Sequence, residues 1–189
     1  MAKSFDPKVL TAAIIEVVEG GISEKNPLPP TQPSVAEAKE IVEYEGCMRV
    51  SGMGTFDSPC YIAAVSLYAN AGDMQRNKAK GALVLYMSTE YADKIFKSLG
   101  YTIPYDEDDE SMLKLTSDFC QAVSKGVIAK LSAKGFAELT ASSPVVAKNT
   151  LADGVAFSND QHEKQEVVFT YFKTKAIVVD ITLAEISRK

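Results

Sequence analysis

The sequence lacks several residues and patterns that mark common enzyme classes. Its 189 residues contain no tryptophan, one histidine, His162, and three widely spaced cysteines, Cys47, Cys60 and Cys120. The cysteines form neither a disulfide framework nor a zinc-binding pattern. A Ser/His or Cys/His nucleophile would need His162, which lies in the polar segment SNDQHEKQE that we predict to be an exposed loop. Catalysis by such a pair is therefore not expected.

Long apolar runs and basic clusters are missing as well. No run near 18 apolar residues is present, and the N-terminal MAKSFDPKVL has no apolar signal-peptide core. The net charge of −5 argues against nucleic acid as the main partner. We therefore expect a cytoplasmic protein that binds neither a membrane nor nucleic acid.

Signals for phosphate and metal binding are weak. The stretch Gly52-Met53-Gly54 lacks the further glycine and the following helix of a nucleotide-binding loop. The acidic run at residues 106–110 has ligands that suit a divalent cation, but it equally suits a solvated helix N-terminus. We prefer the second interpretation and predict neither a metal site nor a cofactor of the chain's own.

The order of predicted elements favours one α+β domain over residues 1–189. A first helix begins at Asp6-Pro7 and ends at Gly20-Gly21, and the proline-rich segment 26–34 forms a stiff connector. A second, short helix is expected from a Ser88 cap to about Leu99. Strands are predicted at 47–54, 61–69, 81–87, 136–141, 166–172 and 176–183, and the last alternates in a way that predicts one buried face. Hairpins next to helices, without regular βα alternation, indicate a largely antiparallel sheet.

A long helix from Ser111 to Ala133 is the strongest single prediction. Acids precede it and Gly135 follows it, as the helix dipole and a left-handed C-terminal cap require. An apolar face runs along one side at helical spacing. The opposite side carries four polar residues, namely Lys114, Asp118, Gln121 and Lys125.

The chain from Gly81 to about Pro144 resembles the CheC/CheX family of chemotaxis response-regulator phosphatases. The similar features are the strand GALVLYMS, the short helix in YADKIFKSLG, the acidic approach and the long helix. The family's long helix carries Glu, two residues, Asn, then 22 residues and Pro. In this chain Asp118 and Gln121 occupy the two polar positions, and Pro144 follows at the same spacing.

This resemblance implies a CheX-like fold and a phosphorylated CheY-like receiver domain as the partner. Gln121 would orient the water that attacks the receiver's aspartyl phosphate, and Asp118 would pair with a receiver lysine. Lys114, Ser117 and Lys125 would lie in the contact surface. The receiver brings its own Mg²⁺, so the chain would need no cofactor. Family members often form homodimers by pairing sheet edges, so the resemblance implies that a homodimer of this kind is possible for this chain.

Three interpretations stay open at this point. Asp is one methylene shorter than Glu, Gln is one longer than Asn, and Lys114 stands where the family commonly has Asp or Ser. An acid and a glutamine do serve these roles in the unrelated phosphatase CheZ. The alternatives are a non-catalytic receiver-binding or scaffold protein on the same fold, and a structural protein unrelated to signalling. If the outward side of the helix is only a solvated surface, Lys114 would pair with Asp118 at i,i+4.

Overall fold

A computed structural model describes residues 3–22, 25–105 and 108–189 of the chain. Four helices occur in these residues: α1 Pro7–Glu19, α2 Ala71–Gln75, α3 Ala92–Ser98 and α4 Asp109–Ala133. The ten strands in the same part of the chain are β1 Val35–Glu40, β2 Glu43–Tyr44, β3 Cys47–Ser51, β4 Cys60–Tyr68, β5 Gly81–Ser88, β6 Thr140–Ala141, β7 Val145–Lys148, β8 Thr150–Ala156, β9 Glu163–Tyr171 and β10 Thr174–Leu183.

Two antiparallel sheets carry the fold. The larger has seven strands in the order β1-β9-β10-β5-β4, and both β6 and β7 pair with the far edge of β4. The smaller consists of β2, β3 and β8. The predicted α+β class with a largely antiparallel sheet is confirmed.

The local signals at the helix ends explain where α1 and α4 begin. Asp6 caps α1 by accepting a hydrogen bond from the Lys8 amide at 2.9 Å, and Pro7 occupies the first turn, as predicted. Helix α4 begins two residues earlier than predicted, because Asp108 caps it through the Ser111 amide at 2.8 Å. The first two acids of the run at 106–110 lie outside the described residues.

Several boundaries differ from the sequence predictions. Strand β1 was not predicted, and residues 163–165 belong to β9 instead of a loop. Ser88 is the last residue of β5 and does not cap α3, whose N-cap position is Tyr91, without a side-chain hydrogen bond. The strand predicted at 136–141 is reduced to Thr140–Ala141.

Both faces of β10 are buried, so the prediction of one buried face on this last strand was wrong. Helices α1, α3 and α4 cover the first face, where Ile177 and Val179 lie in the larger core. The small sheet packs on the second face, where Val178 shares a core with Met48 and Val155. Alternation along β10 therefore separates two cores, since the small sheet covers the side that the pattern assigned to solvent.

Close packing of α4 on α1 fixes the rotation of α4 about its axis. A Cβ atom at Gly126 would lie 2.7 Å from Cγ1 of Val17, so the glycine permits the two helices to approach. A salt bridge of 3.1 Å joins Glu16 to Lys130 across the same contact. Phe119 and Val123 are buried on the inner side of α4. The polar side of the helix consequently faces outward.

Charged side chains form two rows on the second face of the large sheet. Glu37, Glu166 and Asp180 occupy paired positions across β1, β9 and β10, and Lys39 is paired with Lys164 in the neighbouring row. Like charges directly opposite each other are unfavourable. Diagonal salt bridges offset them, with Lys39 bound to Glu166 at 2.8 Å and Lys164 bound to Asp180 at 2.5 Å.

Asp180 is the most deeply buried charge of these rows. Its side chain is fully buried, and it accepts a 3.2 Å hydrogen bond from the Tyr86 hydroxyl. Its second oxygen, Oδ1, has no hydrogen-bond partner within the described part of the chain. Burial raises the pKa of the Asp180 carboxyl, although the positive charge of Lys164 opposes the shift. The folded state therefore holds the Asp180 proton more tightly than the unfolded state does. Protonation of Asp180 thus stabilises the fold as the pH falls from the raised, folded-state pKa towards the unfolded-state pKa.

Replacement of Lys164 tests this buried pair. We expect Lys164→Met to lower the free energy of unfolding by about 3–5 kcal/mol at pH 7, because Asp180 would keep a buried charge without a counter-charge. The loss should shrink towards pH 5 as the Asp180 carboxyl takes up a proton. Urea unfolding at both pH values measures the effect.

The double variant Lys164→Met/Asp180→Leu is the control for this experiment. It removes both charges, and should recover most of the stability that the single variant loses. An equal loss in the single and double variants, or a loss that does not depend on pH, would contradict the assignment.

Candidate functional site

Asp118 and Gln121 lie together on the outward side of α4. Both side chains are exposed, whereas Phe119 and Cys120 between them are fully buried. A spacing of three residues separates the two polar side chains by about 60° around the helix axis and about 4.5 Å along it. A carboxylate and an amide are therefore presented side by side from a rigid element of 25 residues.

Lys114, Ser117 and Lys125 surround this pair. The two lysines are exposed and Ser117 is half-buried. Within the described residues no ion pair joins Lys114 to Asp118, and Asp118 takes part in no hydrogen bond. The face thus carries two positive charges and one negative charge on a chain whose net charge is −5. The i,i+4 pair expected for a merely solvated helix face does not form.

The beginning of α4 is tied to the edge of the large sheet through Asp109. Its carboxylate accepts a 2.9 Å hydrogen bond from the Tyr61 hydroxyl on β4 and forms a 2.9 Å salt bridge with Lys148 on β7. The bond from Lys148, followed by that from Tyr61, lowers the pKa of the Asp109 carboxyl. Together with Asp108, which caps the helix, two acids of the run at 106–110 therefore have structural roles.

Pro144 lies at the start of β7 and away from the polar pair in sequence, but the two belong to neighbouring elements. Strand β7 pairs with β4, and α4 packs across both strands. The 22-residue spacing from Gln121 to Pro144 thus spans the rest of the helix and the return of the chain to the sheet edge. We interpret Pro144, which directly precedes β7, as a structural residue.

Tyr101 was missed by sequence reasoning. It lies in the connector between α3 and α4, and its phenol is half-buried. Burial, and then the negative charge of Asp118, raise the pKa of the Tyr101 hydroxyl, which places that hydroxyl in the field of the candidate acid. Gly100 after a short helix, followed by an aromatic residue, is the only sequence signal that pointed to this position.

Other reactive side chains offer no second site. Burial raises the pKa of the Cys60 thiol to about 11 and that of the Cys120 thiol to about 12, so both stay protonated and unreactive. His162 is exposed in a loop, as predicted. In residues 3–22, 25–105 and 108–189, no group of three or more His, Cys, Asp or Glu side chains is placed to hold a metal ion. None of the helices in these ranges is long and apolar enough to cross a membrane.

Solved structures similar to this chain cover nearly all of it. A CheC-like superfamily protein from Shewanella sp. PV-4 has 14% sequence identity and a TM-score of 0.55, over 96% of this chain and 100% of that one. Chemotaxis protein CheX from Vibrio vulnificus has 11% identity and a TM-score of 0.51, over 93% and 97% of the two chains. The chain has the CheC/CheX fold.

FliY from Thermotoga maritima has the same CheX-like fold, with 14% identity and a TM-score of 0.54 over 95% of this chain and 91% of that chain. No protein-family model and no curated protein matches the sequence. At such low identities the likeness establishes the fold alone. The roles of Asp118 and Gln121 on this CheX-like fold have to be argued from their chemistry and their placement.

Substitutions at the pair should leave stability unchanged. We expect Asp118→Asn and Gln121→Ala each to change the free energy of unfolding by less than about 0.5 kcal/mol, because both side chains are exposed and neither forms a hydrogen bond or ion pair within the described residues. Phe119→Ala, between them on the buried side, should cost about 3–5 kcal/mol. Urea unfolding measures all three variants. A loss above about 1 kcal/mol in Gln121→Ala would mean that its amide supports the fold.

Proposed function

We propose that this chain is a CheX-like signalling protein that hydrolyses the aspartyl phosphate of a CheY-like receiver domain. The observation that carries the proposal is the pair Asp118 and Gln121, exposed on the outward side of the long helix and without a side-chain bonding partner in residues 3–22, 25–105 and 108–189. A carboxylate and an amide at this spacing, on this fold, are the two groups that the reaction uses.

Hydrolysis of an aspartyl phosphate requires from the catalyst mainly that it position the attacking water. An acyl phosphate is already reactive, so placing a water molecule in line with the phosphorus removes most of the barrier that a protein can influence. The Gln121 amide has a carbonyl that accepts and an NH₂ group that donates, so it can hold a water in a fixed orientation. The receiver's own Mg²⁺ would neutralise charge on the phosphoryl group, so this chain needs no metal for the step.

Asp118 would act in docking by forming an ion pair with a receiver lysine. Its carboxylate is exposed and has no partner among the described residues, so no bond to them has to be broken first. Asp is shorter than Glu by one methylene, and Gln is longer than Asn by the same amount. The combined reach of the pair is thus unchanged, and a receiver seated slightly closer to Asp118 would meet both groups.

Lys114 and Lys125 would assist the approach of the receiver. A phosphorylated receiver presents a cluster of negative charge, and two exposed lysines beside the pair attract it over a distance of about 10 Å at ordinary salt. Since Lys114 is not neutralised by Asp118, its charge is available for this purpose.

We expect Lys114→Glu to slow association at low salt, while high salt should reduce the difference between the two proteins.

The direct test uses a CheY-like receiver charged with acetyl phosphate. Adding the wild-type chain should accelerate phosphate release, and Gln121→Ala should reduce the acceleration on the order of a hundredfold, because the attacking water loses its orientation. Lys134→Ala, at an exposed position just beyond α4, is the matched control and should have no effect. The double variant Asp118→Glu/Gln121→Asn should remain active, because it restores the residue types of the family.

A non-catalytic receiver-binding protein is the second candidate. It is favoured because Asp118 and Gln121 stand where the family has Glu and Asn. It predicts that a receiver activated with beryllofluoride binds in calorimetry although phosphate release is not accelerated. Both candidates would be contradicted if the chain neither bound any receiver of the same genome nor accelerated its loss of phosphate.

We further propose that two copies pair through β1. This strand forms one edge of the large sheet, and its other side pairs with no strand among the described residues. In an antiparallel arrangement with Ala38 on the two-fold axis, Glu37 of each copy lies opposite Lys39 of the other. The acidic row of one copy would then continue into the lysine row of the second, which makes the edge complementary to itself.

A charge reversal on β1 tests the dimer. Glu37→Lys should raise the dimer dissociation constant about tenfold, because two like-charge pairs replace two opposite-charge pairs. Within one copy the introduced lysine would face Glu166, so the fold should be retained. Glu40→Lys, on the same strand but on the opposite face, is the control. Sedimentation equilibrium measures both variants, and an equal response of the two would contradict the proposed register.

A further inference from the structure

A cleft of about 410 Å³ opens on the outward face of the small sheet. Met48 and Val50 of β3 are buried in the core that this sheet shares with the large sheet. The residues that alternate with them, Cys47, Arg49 and Ser51, therefore belong to the outward face. Sites for small molecules typically have volumes of roughly 300–1,000 Å³, so the cleft is large enough for a ligand of the size of an amino acid.

An irregularity in strand pairing forms one wall of the cleft. The pairs of β3 with β8 on either side of it are Met48–Val155 and Val50–Leu151. Residues 152–154 of β8 therefore bulge opposite Arg49 alone. Gly154 has a φ angle of +64°, and a Cβ atom there would overlap the Met48 carbonyl oxygen, so the bulge requires a glycine. Arg49 thus lies opposite Asp153, on neighbouring strands that are about 4.8 Å apart in a sheet.

The turn between β2 and β3 forms the other end of the cleft. Tyr44 pairs with Cys47, so Glu45 and Gly46 make a two-residue turn, with φ angles of +51° and +80°. A left-handed conformation is uncommon for a residue with a side chain, and it fixes the point from which the Glu45 side chain starts. Along β3 the distance from Arg49 to Cys47, next to this turn, is about 7 Å.

Three charged side chains line this cleft without neutralising one another. Within residues 3–22, 25–105 and 108–189, Glu45, Arg49 and Asp153 form no ion pair and no side-chain hydrogen bond. One positive and two negative charges are therefore available to a ligand. A ligand that complements all three carries one negative and two positive charges.

We propose that this cleft binds a free basic α-amino acid of the arginine type. The Arg49 guanidinium can donate two parallel hydrogen bonds to the α-carboxylate. Asp153, opposite Arg49, can accept from the α-ammonium, because that group is attached to the same carbon as the α-carboxylate. Glu45 lies further along the cleft by about the length of the ligand's side chain, so its carboxylate can pair with the cationic end.

The cleft lies on the far side of the large sheet from α4, because the small sheet and α4 cover opposite faces. A ligand bound there would not touch Asp118 or Gln121. Its binding can therefore be measured without a receiver, and the result does not depend on the proposed function.

Calorimetric titration with L-arginine tests the site directly. We expect a dissociation constant on the order of 1 mM, which a ligand of about twelve non-hydrogen atoms reaches at ordinary efficiency. Arg49→Met should weaken binding about tenfold, because the α-carboxylate loses its charged partner. Arg49 is exposed, so this variant should keep the fold.

Arg76→Met is the matched control, since Arg76 is an exposed arginine outside the lining of the cleft. It should leave the dissociation constant for L-arginine unchanged. The proposal is overturned if the wild type shows no saturable binding below about 10 mM, or if the two variants lose affinity equally.

Analogues that lack one charged group test the individual contacts. Agmatine, which is arginine without the α-carboxylate, should bind the wild type about tenfold more weakly than L-arginine does, and Arg49→Met should bind both ligands equally. L-citrulline has a neutral side chain, and Glu45→Gln should remove the preference of the wild type for L-arginine over it. Retention of either preference in these variants would overturn the assigned contact.

N-acetyl-L-arginine tests the contact of Asp153 with the α-ammonium. The wild type should bind it about tenfold more weakly than L-arginine, because the acetyl group removes the positive charge, and Asp153→Asn should bind both ligands alike. A peptide that ends in arginine also lacks the α-ammonium at that residue. Equal affinity of the wild type for the two ligands would therefore overturn a site for the free amino acid.

Discussion

Burial of one side of α4 between β4 and α1 is the contact on which the rest of the site depends. Burying a large apolar side chain such as Phe119 or Val123 contributes about 1.5–3 kcal/mol, and the inner side of the helix holds several of them. A rotation of the helix would expose these groups and bury Asp118 or Lys114. The close approach at Gly126 and the bonds of Asp109 then fix the remaining freedom along and around the axis. The position of the polar pair is thus a consequence of the core.

The second face of the large sheet solves a different problem. Glu37, Glu166 and Asp180 occupy paired positions on β1, β9 and β10. Glu37 is exposed at the sheet edge, whereas Glu166 and Asp180 are buried under the cover of the small sheet. Charges of the same sign lie opposite each other on neighbouring strands. Each buried acid nevertheless forms a diagonal salt bridge with a lysine of the next row, Glu166 with Lys39 and Asp180 with Lys164. At the open edge of β1, where the two rows of charges end, Glu37 and Lys39 have no neighbouring strand of the described chain on their outer side. Pairing with a second copy in the antiparallel sense would supply opposite charges at that edge.

Sequence reasoning succeeded where a signal is local and periodic. Helix α4 is long enough for its 3.6-residue period to be unmistakable, so its existence, its C-terminal end and the outward position of Asp118 and Gln121 could be predicted, although it begins two residues earlier than expected. Strand β1 could not be predicted, because VAEAKE is rich in alanine and glutamate, and its partner strand in the described part of the chain, β9, lies more than a hundred residues later. The alternation in β10 was seen, but it cannot reveal whether a second sheet covers the polar side. The Tyr101 ring packs on Phe96 because the chain turns at Gly100, and the periodicity of α4 contains no information about that turn.

The shared fold cannot by itself decide between catalysis and binding, since one fold serves proteins with different roles. The decisive feature is how the helix face uses its charges. A face needed only for solubility gains a few tenths of a kcal/mol by pairing Lys114 with Asp118 at i,i+4. Among the residues that the structure describes, the acid stays unpaired next to an exposed amide. Groups left unbonded on a rigid surface are those that a partner can bond without first breaking internal contacts. That arrangement favours a docking surface, and the adjacent Gln121 amide supplies the group that could also orient a water there.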